Sequence, residues 1–133
     1  MQLNLVQTQD VDKVWALLAD GFQKALLETG GDITVGDLWQ GCRNGTSFLF
    51  IAHDGEIHGA SIWRPEVWQT GTKLRCLGLY GKNMKVWFED MRSLAKQVGK
   101  TCGATSLISE GREGWKRQCP YAKVLRVLYE EAL

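Results

Sequence analysis

Several residue types that serve dedicated chemistry are scarce in this sequence. It has two histidines and two prolines, and no C-x-x-C pair occurs among its four cysteines, which stand at positions 42, 76, 102 and 119. A metal site or a disulfide framework is therefore not expected, and the thiols are predicted to be reduced and buried. His53 and His58 flank a predicted turn with no third ligand nearby, which makes them a poor zinc site.

The sequence also lacks a strong net charge and a long apolar run. Its formal net charge is +1, so no bulk attraction to nucleic acid or to a membrane surface is expected. No segment approaches the roughly 20 apolar residues that span a bilayer. The first ten residues show no basic patch followed by an apolar stretch, so secretion is not expected. Residues 1–133 are predicted to form a single domain with a sizeable core.

Tryptophan, in contrast, is abundant, with six residues in the chain. Two of them, Trp63 and Trp68, lie in a connection that also contains Arg64 and Pro65. Because proline cannot donate to a strand ladder, this connection is predicted to lie outside the regular sheet. Tryptophan and arginine are enriched at protein interfaces, so Trp63, Arg64 and Trp68 are predicted to form an interface for a protein partner or a second copy. The alternative, in which both indoles fold back onto the sheet, remains open.

Hydrophobic periodicity divides the chain into alternating strand-like and helix-like segments. The predicted strands are Gln2–Gln7, Thr46–His53, Glu56–Arg64, Thr72–Tyr80, Ala104–Ser109 and Lys123–Glu130. The predicted helices run from Asp10 to near Gly30, from Thr34 to Asn44, from Met84 to Val98 and from Glu110 to Gln118. The order β-α-α-β-β-β-α-β-α-β predicts an α/β fold, a mixed sheet covered by helices on both faces.

Local signals mark the ends of these segments. Asp10 is predicted to cap the first helix, and Thr34 with Asp37 forms an acidic variant of the capping box. Asp54-Gly55 is typical of a two-residue hairpin turn, and Gly99 is predicted to end the long helix. The residues predicted to be mostly buried are Phe48, Phe50, Ile51, Ile62, Trp87, Phe88, Met91, Leu94, Leu107 and Leu128.

This element order resembles that of the GNAT superfamily of N-acetyltransferases over nearly the whole chain. A more specific likeness lies in the C-terminal stretch GREGWKRQCPYAKVLRVLYEEAL, which resembles the tail of small GNAT-like proteins of bacteriophages and prophages. The matching residues are Gly111, Arg112, Gly114, Trp115 and Tyr121.

The resemblance implies a site for the pyrophosphate of acetyl-coenzyme A between the fourth strand and the next helix. Its residues here would be Leu79, Tyr80, Gly81, Lys82, Asn83 and Lys85. Active members carry Arg or Gln three residues before this glycine and a second small residue after it, and this chain has neither. Asn83 is predicted to cap the helix with its side chain and so to occupy the N–H groups that a pyrophosphate needs. The loop is therefore predicted to be a turn with a capped helix.

The catalytic groups that the resemblance implies are also displaced. The predicted fourth strand carries no carboxylate to act as a base, while Glu56 and Glu66 flank the preceding strand and are predicted to be exposed. The acid would be Tyr80 or Tyr121, although both tyrosines also suit the core or the rim of the fold. Trp115 is predicted to fill part of the cofactor cleft in place of a ligand.

Two functional hypotheses remain. In the first, the chain is a phage-type GNAT-fold protein without acetyltransferase activity or cofactor, which acts as a virion-associated or assembly component. In the second, it is an active acetyl-CoA-dependent N-acetyltransferase of a small amine or a host protein. Both predict location in a phage virion or in the host cytoplasm. A protein partner or a homo-oligomer is expected, whereas the sequence contains no nucleic-acid recognition motif.

Overall fold

The computed structural model describes residues 1–111 and 114–133. The elements follow one another in the order β1-α1-α2-β2-β3-β4-α3-β5-α4, with a short 3-10 turn at Thr8–Asp10 between β1 and α1. The strands are β1 Gln2–Val6, β2 Phe48–His53, β3 Ile57–Trp68, β4 Gly71–Gly81 and β5 Ser106–Ser109. The helices are α1 Val11–Glu28, α2 Val35–Asn44, α3 Met84–Thr101 and α4 Trp115–Gln118. None of the described helices is both long and apolar enough to cross a membrane.

The five strands form one mixed sheet in the order β1-β2-β3-β4-β5. Neighbouring strands pair antiparallel from β1 to β4, and β5 pairs parallel to β4 after the crossover through α3. The predicted α/β fold, with an antiparallel meander and a parallel last pair, is therefore confirmed.

Helices cover both faces of the sheet. Side chains along each strand point alternately to the two faces, so each face contributes to its own apolar cluster. On one face, α1 and α2 contribute Leu18, Phe22 and Leu38 to a cluster that includes Leu49 and Ile62 of the sheet. On the other face, α3 contributes a second set of buried residues: Trp87, Met91 and Ala95, which pack with Phe50, Ala52, Trp63 and Leu74.

Most of the predicted core residues lie in these two clusters. Those that are buried are Phe50, Ile62, Trp87, Phe88 and Met91. Those that are partly buried are Phe48, Ile51, Leu94 and Leu107. The prediction for Leu128 is wrong, because 90% of this residue is exposed.

Strand β3 continues through the segment that was predicted to be a connection. Pro65 pairs with Leu74 of β4, and the pairing runs on to Trp68 opposite Gly71. Strand β2 reaches only as far as Trp63 along β3, so the stretch beyond Trp63 has a single neighbouring strand. A proline is tolerated there because its missing N–H would face the open side.

The predicted final strand is not formed in the described chain. Residues 123–130 belong to no helix or strand, and all of them are exposed. An isolated strand is not stable without a neighbour, and this segment pairs with none of the described strands. The sheet therefore ends at β5 on this side.

The ends of the segments follow the sequence signals only in part. The capping box of Thr34 and Asp37 is present, whereas the Asp10 side chain caps nothing and pairs with Lys13 instead. Gly99 is buried inside α3, and the left-handed position that follows this helix is Gly103 at φ +80°. The β2–β3 turn spans three residues rather than two, with Gly55 at φ +108°.

Candidate functional site

Strands β4 and β5 separate after a short stretch of pairing and leave a cleft between them. Their pairing ends at Cys76 and Ser109, and β4 carries a bulge at the next residue, Leu77. A bulge bends its strand, and the bend turns β4 away from β5. The cleft that opens there has a volume of about 1120 Å³, which is slightly above the roughly 300–1,000 Å³ of a typical ligand site.

One end of this cleft lies at the N-terminus of α3. Gly81, Lys82 and Met84 line it. Gly81 has φ +155°, and a Cβ there would lie 2.6 Å from the carbonyl oxygen of His58, so only glycine fits. The first N–H groups of a helix lack partners within the helix and attract anions.

The side chain of Asn83 leaves these N–H groups uncovered. Asn83 is the N-cap residue of α3, but it lies in the left-handed region at φ 57° and makes no capping hydrogen bond. Its Nδ2 donates to Nδ1 of His58 at 3.2 Å, and Nε2 of His58 donates to Asp54 at 2.7 Å. The prediction that Asn83 caps the helix is therefore wrong, because its partner lies on the β2–β3 hairpin.

The same hairpin holds the lysine of the loop. Lys82 Nζ lies 2.6 Å from Glu56, and its backbone N–H donates to the carbonyl oxygen of His58 at 2.8 Å. The hydrogen bond from Lys82 lowers the pKa of Glu56, and the bond from His58 lowers the pKa of Asp54. From the other side, the buried Trp87 indole donates to the Lys82 carbonyl at 2.7 Å. The loop is thus fixed by contacts that leave its outer side open.

Trp115 forms part of the cleft wall. Its indole donates to Ser109 Oγ at 3.1 Å and packs edge-on against Phe88, with 5.4 Å between the ring centroids. The cleft remains open beside it. Trp115 therefore lines the cleft as predicted, with its ring held against Phe88 at one side, and whether it takes the place of a ligand stays a prediction.

The two candidate acids lie in different places. Tyr80 lines the cleft and packs edge-on against Phe22, and burial raises the pKa of its hydroxyl. Tyr121 lies outside the residues that line the cleft, and its hydroxyl donates to Glu89 at 3.0 Å. Of the two candidates, Tyr80 alone lines the cleft.

The opposite end of the cleft carries carboxylates around one arginine. Arg75 lies 3.8 Å from Asp32, 3.4 Å from Glu66 and close to Glu110, and Glu28 lines the same end. Burial tends to raise the pKa of Glu66, but hydrogen bonds from Arg64 and Trp68 and the charge of Arg75 lower it overall. The expectation that Glu66 is exposed is wrong, since its side chain is only 21% exposed.

This end of the cleft was missed by sequence reasoning. The one available signal was Arg75 itself, a charged residue in the middle of an apolar strand, where a partner is required. The partners come from the α1–α2 connection, from β3 and from the chain after β5, and no local pattern unites them.

The three predicted interface residues differ in their exposure. Trp63 is 7% exposed and donates to Ser61 in the core beneath α3, so it cannot present its indole to a partner. Arg64 pairs with Glu66 at 2.7 Å, and Trp68 donates to the same carboxylate. The ring of Trp68 also lies close to two cations, with Lys73 at 5.3 Å and Arg126 at 5.4 Å from its centroid.

Two further features limit the chemistry of the described residues. No cluster of three or more metal-ligating side chains occurs among them. Burial raises the pKa of the Cys42 and Cys76 thiols to about 12, so both are protonated at neutral pH and are not nucleophiles. Arg112, which belongs to the Gly-Arg-x-Gly-Trp likeness, lies outside the described residues.

The polarity of the cleft runs from an anion-attracting end to an amine-attracting end. Helix N–H groups and Lys82 lie at one end, whereas Asp32 and Glu110 lie with Arg75 at the other, and Lys24 also lines the cleft. Between the two ends, β4 no longer pairs with β5. Its backbone N–H and C=O groups on that side are therefore available to a ligand. This arrangement suits a phosphate-bearing donor molecule that meets a cationic acceptor.

Comparisons with known proteins give a fold but no close relative. No protein-family model matches the sequence, and no curated protein matches it. Among solved structures, one similar to this chain is a predicted acetyltransferase with acetyl-CoA from Clostridium acetobutylicum, at 11% identity and TM-score 0.71 over 98% of this chain and 95% of that one. Another is an aminoglycoside acetyltransferase from an uncultured soil metagenomic sample in complex with sisomicin, at 12% identity and TM-score 0.69 over 99% and 95%.

A third similar structure is a ribosomal-protein-alanine N-acetyltransferase from Brucella melitensis biovar Abortus 2308. It is 11% identical with TM-score 0.64, and the alignment covers 100% of both chains. At such identities, the likeness speaks for the fold alone. The chain therefore has the fold of the GNAT acetyltransferases.

Proposed function

We propose that this protein is an acetyl-CoA-dependent N-acetyltransferase whose acceptor is a cationic amine. The observation that carries the proposal is the separation of β4 and β5 after Cys76 and Ser109, which opens a cleft onto the uncapped N-terminus of α3. A GNAT-fold protein that had lost its ligand would have no need to keep this space open, since cavities cost stability.

The coenzyme end of the cleft fits a pyrophosphate in its backbone. Gly81 allows close approach, Asn83 in the left-handed region turns the chain into the helix, and no described side chain accepts from the first N–H groups of α3. Lys82 adds a positive charge at the rim, although Glu56 shares it. The Arg or Gln of the usual loop is replaced by Gly78. Binding of a pyrophosphate here would therefore depend more on the backbone N–H groups and the dipole of α3 than on charged side chains.

The acceptor end favours an amine. Asp32, Glu66 and Glu110 lie around the guanidinium of Arg75 at this end, and Lys24 also lines the cleft. A cluster with more carboxylates than cations attracts an ammonium group and lowers the local concentration of anions. The solved neighbours named for aminoglycosides and for a ribosomal-protein alanine both act on amines, which is consistent with this preference.

Acetyl-CoA, when bound, would supply an activated thioester carbonyl. A carboxylate at the acceptor end would take the proton of the ammonium group, directly or through water, so that the amine nitrogen can form the new C–N bond. Burial raises the pKa of Tyr80 further above neutral, so its hydroxyl is protonated and would give a proton to the thiolate that leaves when the C–S bond breaks.

A turnover assay tests this proposal. Release of free thiol from acetyl-CoA would be followed with a panel of amines: an aminoglycoside, a polyamine and a peptide with an N-terminal alanine. The proposal expects amine-dependent release, reduced about 100-fold in Tyr80→Phe if its hydroxyl is the acid. Tyr129→Phe, an exposed tyrosine outside the cleft, is the matched control. Absence of amine-dependent release with the whole panel, together with absence of acetyl-CoA binding, would contradict it.

A second candidate function is a non-catalytic, protein-binding role in a phage particle or its assembly. The observation in its favour is the C-terminal segment, whose exposed apolar side chains include Leu128 and Tyr129. Exposed apolar patches mark interaction sites. The phage origin and the virion or host-cytoplasm location rest on the C-terminal resemblance and stay predictions.

A further inference from the structure

A second, smaller cavity lies between α2 and the strands β3 and β4. It has a volume of about 300 Å³, which is at the lower limit of the usual ligand site. The buried Leu38 and Ser47 line it, together with the exposed Gln40 and Asn44 of α2. We call this cavity the α2 pocket.

Ser47 brings an unpartnered hydroxyl to the α2 pocket. The residue is only 6% exposed, and its Oγ makes no hydrogen bond with any other residue of the described chain. Its backbone N–H donates to the carbonyl oxygen of Gly41 at 3.1 Å, which holds Ser47 against α2. A buried hydroxyl without a partner costs stability, so such a group normally meets water or a ligand. A polar molecule that enters the pocket therefore finds a hydrogen-bonding group that the protein itself does not use.

Gly41 makes room for this hydroxyl. A Cβ at position 41 would lie 2.7 Å from Ser47 Oγ and 3.3 Å from Thr46 Oγ1. Gly41 does not lie in the left-handed region, so its backbone alone does not require glycine. Glycine inside a helix also costs stability relative to alanine. The glycine is therefore explained by the space that the Ser47 side chain needs.

The lining of the α2 pocket is polar but balanced in charge. Its two charged side chains are Asp37 and Arg64, of opposite sign. Both are already engaged, Asp37 in the capping box of α2 and Arg64 in an ion pair. The hydroxyl and amide side chains that complete the polar lining can both donate and accept hydrogen bonds. A group with hydroxyls, which also donate and accept, fits such a lining better than an ammonium group or a carboxylate does.

The α2 pocket adjoins the acceptor end of the cleft. Ile33 and Leu77 line both spaces. Oε2 of Glu66 lies 2.7 Å from Arg64 at the pocket and 3.4 Å from Arg75 at the cleft, so one carboxylate oxygen joins the two. A molecule whose amine lies among the carboxylates of the cleft can therefore extend into the pocket.

We propose that the α2 pocket binds an uncharged, hydroxyl-bearing part of the acceptor, so that the acceptor is a hydroxylated amine of the amino-sugar class. This inference rests on the proposed function, because it places the amine of the acceptor at the Arg75 end of the cleft. A hydroxyl of the acceptor meets Ser47 Oγ in the pocket. An aliphatic polyamine would leave that oxygen without a partner, and a site built to pair a ligand hydroxyl discriminates strongly against an analogue that lacks it.

Titration calorimetry with two amines tests this proposal. Neamine and spermine carry the same number of amino groups, but only neamine has hydroxyls. Each would be titrated into the protein alone and into the protein with coenzyme A. Neamine should bind about tenfold more tightly than spermine.

Variants of the pocket assign that preference to its lining. Ser47→Ala should weaken neamine binding about tenfold and leave spermine binding unchanged, because only neamine offers a hydroxyl to Ser47. Its melting temperature should match that of the wild type, since the lost oxygen has no partner in the described chain. Ser93→Ala, at an exposed serine of α3 on the other face of the sheet, is the matched control. Gln40→Leu, at an exposed residue of the pocket, should weaken neamine binding about fivefold, whereas Gln97→Leu on α3 should not.

Three results would overturn the proposal. They are equal binding of neamine and spermine, neamine binding that neither Ser47→Ala nor Gln40→Leu weakens, and absence of neamine binding, which would leave water only in the pocket. The release of thiol from acetyl-CoA tests the transfer separately. Amine-dependent release without a preference for neamine rejects the role of the pocket alone. Neamine binding that depends on Ser47, without any release, supports the pocket and rejects the acetyltransferase.

Discussion

Asn83 hydrogen-bonds His58 across the end of the sheet, with 3.2 Å between Nδ2 and Nδ1. The two residues lie 25 positions apart, and the bond turns the Asn83 side chain away from the helix that it precedes. This relationship explains why a residue that is typical of a helix cap leaves the N-terminus of α3 open. The bulge that sets His58 out of register on β3 is what brings its imidazole to Asn83.

Replacing Asn83 should affect stability through its backbone. Asn83→Ala should lower the free energy of unfolding by about 1–2 kcal/mol, because alanine tolerates the left-handed region poorly. Asn83→Gly should cost less, since glycine adopts this conformation readily and only the bond to His58 is lost. Urea denaturation of both variants measures the difference. Equal stability of the two variants would contradict the left-handed geometry.

Gly81 should not tolerate a side chain. A Cβ would lie 2.6 Å from the His58 carbonyl and 2.6 Å from the Trp87 ring. Gly81→Ala should therefore lower stability by about 3 kcal/mol, as overpacking does in a tightly packed site. The control is Gly114→Ala, where φ is −62° and nothing lies within 4 Å of the added carbon. Thermal unfolding of the two variants should show a large shift for the first and almost none for the second.

The carboxylate of Glu66 should make stability depend on pH. Its folded-state pKa is lowered, so its contribution is complete well above its unfolded pKa of about 4.5 and is lost as the pH falls through the lower folded value. Glu66→Gln should cost about 1 kcal/mol at pH 7, and the cost should be smaller at about pH 3, because it declines once the pH falls below the unfolded pKa. Melting curves at both pH values test this. Glu131→Gln, in the exposed C-terminal segment, should show neither effect.

The two tryptophans near the cleft should differ in their contribution to stability. Trp87 is fully buried, so Trp87→Ala should cost about 4 kcal/mol. Trp115 is half-buried and packs against Phe88 on one side, so Trp115→Ala should cost about half as much and widen the cleft. Guanidinium denaturation gives both values. A larger loss for Trp115 would mean that it is more central to the core than its exposure indicates.

The sequence was sufficient for the elements with strong local patterns. The continuous apolar run of β2 and the helical face of α3 predicted both the sheet and its cover. A strand that is covered on two faces is apolar throughout, whereas a helix that is buried on one face shows a period of 3.6 residues. Pro65 misled the assignment of β3, since its effect depends on where the neighbouring strand β2 ends. The segment 123–130 has strand propensity, but its pairing depends on a partner that local sequence does not specify.

The sequence predicted only the part of the candidate site that a single loop forms. Gly81 and its neighbours were identified from the resemblance, whereas the role of Asn83 depended on the distant His58. The carboxylates around Arg75 come from three separate parts of the chain. Such a cluster arises from tertiary packing, which no spacing of residues along the sequence indicates.

Titration calorimetry with acetyl-CoA is the most direct test of the open cleft. The account predicts binding of the wild type with a dissociation constant on the order of micromolar, typical of a coenzyme site. Asn83→Asp should weaken binding about tenfold, because a carboxylate at the N-terminus of α3 repels the phosphates. Gln97→Glu, on the exposed side of the same helix, should bind as the wild type does. Absence of heat at millimolar acetyl-CoA, or equal binding by Asn83→Asp and the wild type, would contradict the account.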